Sequence, residues 1–348
     1  MTAARAGHRP YRPNFIHAFY SWLDRLPIAD WLFIVLLFPA VGIAQHLVAW
    51  SRGMLSPGEF SYDLGTAALY LTPGLLLGIY LLKGAPKALE EYRPLLDVTD
   101  EKYADLKYRF ITIPGGLGTL FFLIGAAMGV ASGFSDMAVA PAVDYAFPQM
   151  RIGMIWMIGS GVFFLLGYQV ARQLRQIGAF YAMPDRIDPF NRRPLYGLSR
   201  YTATLGVLVF VVILLSFADP TAYAAYSNTA LIAYFSSFVV LTLLVFYLPL
   251  AGAHRRLLSE KDRLLQEVNS RIATILARIH SAAFEQQDYQ DVGGMRTVLS
   301  ALREEEQTIQ ALSTWPWRPG TLTGVLSALL LPVVLLLIRE VITRLLGS

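Results

Sequence analysis

Seven apolar runs, each about as long as a bilayer core is thick, constrain this chain more than any other feature. They cover residues 31–50, 64–82, 110–133, 150–170, 201–217, 231–250 and 321–338. A helix needs about twenty apolar residues to cross ~30 Å of hydrocarbon. Only 16% of the residues are charged, against roughly a quarter in a soluble domain. The mean hydropathy is +0.47. The expected fold is therefore an all-α polytopic membrane protein with about seven transmembrane helices and a cytoplasmic helical hairpin between spans six and seven. The first thirty residues lack a compact apolar core ending at a small-residue cleavage site, so no cleavable signal peptide is expected.

Charge sets the expected orientation. Lys and Arg concentrate in the N-terminal arm, in loop 83–109, in loop 171–200 and in segment 251–320; the alternate connections carry few. By the positive-inside rule this places the N-terminus and the hairpin in the cytoplasm and the C-terminus outside, in a plasma or prokaryotic inner membrane. Four segments follow. Residues 1–30 form a cytoplasmic arm in which 15–23 is either a short interfacial helix or part of a disordered tail. Residues 31–250 form a six-span body, 251–320 the hairpin, and 321–348 the last span with a short tail. Loop 83–109 is expected to hold one short helix or a surface cap, and the sixth span to end at Pro249. The net charge of +4 is explained by topology, so nucleic acid is excluded as a partner.

The hairpin carries the most specific pattern. Leu258, Leu265, Ile272 and Ile279 recur every seven residues, and Lys261, Val268, Ile275 and Ala282 fill the second heptad position. Such a repeat predicts a packed helical seam, with Lys261 facing water or a carboxylate. After a break at Gly293 and Gly294 a shorter helix returns. The first helix outruns it, so a further surface is expected to cover the excess, such as the cytoplasmic loops or another subunit; a soluble cytoplasmic partner is a further candidate for the hairpin. Trp315, Trp317 and Arg318 are expected to anchor the chain at the membrane boundary.

Inside the spans the polar residues are few. Gly125, Gly129 and Gly133 lie on one helix face and predict close helix packing. The run Pro114-Gly115-Gly116-Leu117-Gly118 lacks the Lys-Ser/Thr of a phosphate loop. It is read as packing or as a broken helix whose freed backbone groups hold an ion. Gln45, His46 and Gln169 are the main intramembrane polar groups, and no acidic residue lies mid-span. That pattern opposes a carboxylate-driven pump. No nucleophile, general base or metal shell is clustered, and the chain has no cysteine for disulfides or thiol chemistry. No cofactor is implied and an enzyme is not expected.

A long linker helix, a cytoplasmic hairpin and a return span give the C-terminal third a layout that resembles insect chemoreceptor-like channels. The resemblance is one of layout and rests on no motif. It implies that hairpins bundle subunits and that the last span lines a pore, with Thr321, Thr323 and Ser327 near its inner mouth. An oligomeric channel is thus the leading expectation. A membrane scaffold that docks a soluble partner, and a small-solute or lipid transporter, are the alternatives.

Overall fold

Among the described residues, three helices are long and apolar enough to cross a bilayer: Asp30–Ser51, Leu195–Leu215 and Ser236–His280. Two shorter apolar helices, Gly115–Ala131 and Thr321–Leu331, join them. The structure is a computed structural model and describes residues 10–61, 64, 71–139, 146–216, 228–282, 289–331 and 334. Most of the first part of the second expected span, residues 140–145, 217–227, 283–288 and 332–333, and the chain after 334 lie outside the described residues.

In chain order the helices are α1 (Phe15–Leu23), α2 (Asp30–Ser51), α3 (Thr72–Tyr92), α4 (Asp100–Ile111), α5 (Gly115–Val139), α6 (Ala146–Ala182), α7 (Leu195–Ser216), α8 (Asn228–His280) and α9 (Tyr289–Ala311). A tenth, α10, covers Thr321–Leu331. Helices α5 and α6 pack most extensively, followed by α3 with α7 and α8 with α9; α8 also lies against α6 and α7. Apart from one isolated bridge, Pro13 to Pro114, the regular structure among the described residues is helical.

Several expected boundaries move, each for a packing reason. The segment after residue 82 is not a loop, because α3 continues through Pro86 to Tyr92. Leu81, Ala85, Ala88, Leu89 and Tyr92 are buried along one stripe of α3. That stripe holds the helix together across a residue that lacks an N–H. Pro249 does not end the sixth apolar run either; α8 passes through it for 53 residues. Phe246, Leu250, Ala253 and Leu257 are buried on one face across the proline. Likewise α9 begins at Tyr289 and runs through Gly293 and Gly294. Glycine costs about 1 kcal/mol in a helix interior, which packing against α8 offsets.

Residues 10–30 pack on the body. Asn14 caps α1 by accepting from the Ile16 N–H at 3.2 Å. Ile16, Tyr20 and Leu23 are buried. The Tyr20 hydroxyl donates to the Leu75 carbonyl at 2.7 Å. A Cβ on Gly78 would lie 1.9 Å from that hydroxyl, so only glycine admits the ring.

The four basic-rich segments meet at one end of the bundle. Lys83 pairs with Asp24 at 2.6 Å and with Asp30. Arg200 pairs with Glu91, and the Tyr92 hydroxyl donates to the Phe180 carbonyl at 3.0 Å. Arg256 donates to the carbonyl of Ala182 at 2.7 Å and to that of Pro184. Arg192 donates to the Ser313 carbonyl at 3.0 Å.

Helices α5 and α6 approach closely at Gly125, where a Cβ would lie 2.4 Å from the Ser160 carbonyl oxygen and 2.7 Å from Phe164 Cβ. Gly129 is also buried, and Gly133 lies in the same helix α5. Gly125→Ala is expected to lower stability by about 1–3 kcal/mol through overpacking. Gly167→Ala meets nothing within 4 Å and is expected to be neutral. Thermal unfolding of both variants in detergent micelles checks the pair.

Candidate functional site

Pro114 breaks the chain between α4 and α5. It disfavours helical backbone at the residue before it, and Thr112 is already extended, at φ −82° and ψ 124°. The last carbonyls of α4 therefore lose their intrahelical partners. One face of α6 supplies replacements at helical spacing. Gln169 donates to the carbonyls of Phe110 and Ile111, both at 3.2 Å. Arg172 donates to that of Thr112 at 2.8 Å and to the Tyr11 hydroxyl. Gln173 donates to Phe110 and to Leu81, both at 3.1 Å, and accepts from the Tyr201 hydroxyl at 2.6 Å. Gln176 donates to Arg109 at 3.2 Å. Gln169 and Gln173 are fully buried.

The other side of the break is filled by the N-terminal arm. The Gly115 N–H donates to the Arg12 carbonyl at 2.8 Å, and the Asn14 N–H to Ile113 at 3.0 Å. The Asn14 amide donates to Thr119 Oγ1 at 3.0 Å. A Cβ on Gly118 would lie 2.8 Å from Ile113 and 2.9 Å from Asn14, so the glycines here admit the arm. His17 Nε2 accepts from the Ile113 N–H at 2.9 Å. Burial pushes the His17 pKa down to about 4, which keeps the ring neutral and this nitrogen an acceptor. The break thus has the geometry of a discontinuous helix, but protein groups occupy its freed backbone atoms. It is a lock between three segments. Reading sequence by composition misses it; the signal was Gln169, Arg172, Gln173 and Gln176 on one helix face.

The hairpin residues differ in burial. Val268 of α8 and Ile309 of α9 are both buried. Lys261 meets neither water nor a carboxylate as its main partner: its ammonium donates to the carbonyls of Gln310 at 2.6 Å and Leu312 at 3.0 Å, capping the end of α9. Leu265, Ile272, Ile275 and Ile279 are half-buried. Leu258 is 41% exposed, whereas its neighbour Leu257 is fully buried against the body.

Trp315 and Trp317 stack on each other with centroids 4.3 Å apart. Trp315 also stacks on His254 at 3.9 Å and meets Tyr247 at 5.4 Å, while Trp317 meets Phe246 at 5.3 Å. The pair therefore clamps α8 on both sides of Pro249. Arg318 is exposed, with its guanidinium 5.5 Å over the Tyr196 ring. In α10, Val325 and Leu329 are buried, and Thr323 and Ser327 face outward.

A cleft of about 390 Å³ lies between Leu95, Asp97, Val98 and Lys102 on one wall and 183–186 on the other. It offers charges of both signs and no clustered base or nucleophile. Among the described residues no group of three or more His, Asp or Glu side chains is placed to hold a metal ion.

Two measurements follow from the lock. Gln173→Leu strands the buried carbonyl of Phe110 in part and the Tyr201 hydroxyl wholly, so a loss of about 1–3 kcal/mol in thermal stability is expected. For His17, the unfolded chain takes up a proton near 6.5 and the folded chain only near 4. Between those values the unfolded state binds more protons. Stability should therefore fall as pH drops from 6.5 to 4, by about 2–3 kcal/mol from this group. His17→Gln should flatten that part of a melting-temperature profile against pH.

The chain matches no protein-family model, and no characterised protein or solved structure is significantly similar to it, so its function is argued from geometry alone.

Proposed function

We propose that this chain is a non-enzymatic integral membrane protein that self-associates through the α8–α9 arm. The single observation that carries this reading is the incomplete cover of α8 by α9. Helix α8 is 53 residues long, about 80 Å. Only about the first 30 Å is needed to cross a bilayer. Along the remainder, Val268 is buried, while Leu258 stays exposed and Leu265, Ile272, Ile275 and Ile279 stay half-exposed. A heptad stripe left open on one helix is the surface that a second copy of the same stripe fits.

Seven spans, with the N-terminus and the arm cytoplasmic and the C-terminus outside, is the topology this reading takes. Its support is the mutual contact of the four basic-rich segments, which sequence charge assigns to one side. In the assembled form, the outward face of α10 with Thr323 and Ser327 borders a path between copies. An ion channel at that path is the leading activity. Docking of a soluble cytoplasmic partner is the second reading, and the mixed-charge cleft between residues 95–102 and 183–186 favours it.

Buried and half-open positions make separable expectations. Leu265→Asp with Ile272→Asp should turn the oligomer into monomers, because those positions keep part of their surface open to a second copy. Val268→Asp should lower stability by about 3 kcal/mol or more, because it buries an unpaired charge. Light scattering coupled to size exclusion in detergent, together with melting curves, separates them. A monomeric wild type would overturn self-association. Ion flux in sealed liposomes, present for wild type and lost in the double variant, tests the channel reading.

A further inference from the structure

An open groove of about 370 Å³ lies on the outward side of α8, between residues 240–247 and the side chains of Trp315, Trp317 and Leu322. Its volume is that of a built ligand pocket, about 300–1,000 Å³. Its walls are apolar and extend for about 10 Å along α8. One end lies within the sixth apolar run. The other ends at the stacked Trp315 and Trp317 rings, which the His254 stack holds rigid.

Cations stand beside that aromatic end. Arg255 is exposed and folds back one turn to donate to the Ala251 carbonyl at 3.4 Å, toward the Tyr247 ring that lines the groove. Arg318 directly follows Trp317 and rests on the face of Tyr196. Among the described residues neither guanidinium meets a carboxylate, in contrast to Lys83, Lys107 and Arg200, which each do. An apolar slot closed by stacked tryptophans, with Arg255 next in the chain to the His254 of that stack and Arg318 next to Trp317, has the charge and shape of one ligand class.

We infer that this groove binds an anionic glycerophospholipid of the cytoplasmic leaflet, with an acyl chain along residues 240–247 and its phosphate at Arg255 and Arg318. The inference rests on the membrane reading given above. A zwitterionic lipid supplies the same chain but brings its own cation to the arginines. A second copy of this chain would have to present carboxylates there.

The test is native mass spectrometry of the full chain in detergent micelles, titrated with phosphatidylglycerol or with phosphatidylcholine. Wild type should retain one phosphatidylglycerol at collision energies that strip phosphatidylcholine. Arg255→Gln with Arg318→Gln should weaken phosphatidylglycerol retention about tenfold and erase the preference. Leu244→Trp, which fills the slot, should weaken retention of both lipids. Equal retention of the two lipids by wild type overturns the proposal, as does an undiminished preference in the double variant. A lipid-free dimer with the groove covered overturns it in favour of a second copy. Carbonate extraction of membranes separates the two levels. A chain that stays in the pellet without lipid preference loses only this site, whereas a chain released to the supernatant loses the membrane reading as well.

Discussion

The last turn of α4 has carbonyls that Pro114 deprives of partners, and the polar face of α6 supplies them. Leaving one buried carbonyl unmet costs about 1–3 kcal/mol, so this capping is a condition for breaking the chain there at all. Gln173 ties it to α3 and α7 as well, through the Leu81 carbonyl and the Tyr201 hydroxyl. The arm 11–17 closes the far side of the same break. Five segments distant in sequence are thereby held in one register.

The same device recurs at two other helix ends. Arg256 caps α6, and Lys261 caps α9. A cation at a helix C-terminus also meets the negative end of the helix dipole. Basic residues that the sequence assigns to orientation in a bilayer serve here as caps between segments. This leaves a smaller set free to act on something outside the chain. Arg255 and Arg318 belong to that set, and they stand beside the apolar groove. The arm formed by α8 and α9 is anchored to the body by these caps and by the tryptophan clamp around Pro249, so its open stripe is presented at a fixed angle.

The apolar runs made the helices legible, and α8 and α9 pack on each other. The heptad does not map onto burial: Val268 is buried, Leu265 and Ile272 are half-buried, and Leu258 is exposed while Leu257 faces the body. Pro249 misled as the end of a helix. Pro86 and Pro249 each cost a hydrogen bond locally, and tertiary stripes on both sides outweigh that cost. The lock was the least legible part. Glutamine and arginine in an apolar helix read as the edge of a span, and their partners lie about 60 residues away in the chain. Nothing local announces that Gln169 and Gln173 face the end of another helix.

The account depends most on the four basic-rich segments lying on one side of a membrane, because the arm, its caps and the lipid groove are all placed by that. The chain has no cysteine, so single cysteines give a clean background. Asp97→Cys, Asn191→Cys, Ser313→Cys and Ser56→Cys all replace exposed residues. In inside-out vesicles, an impermeant maleimide should label the first three and spare the fourth, and right-side-out vesicles should give the reverse. Labelling of residues 97 and 313 from opposite sides would contradict the account.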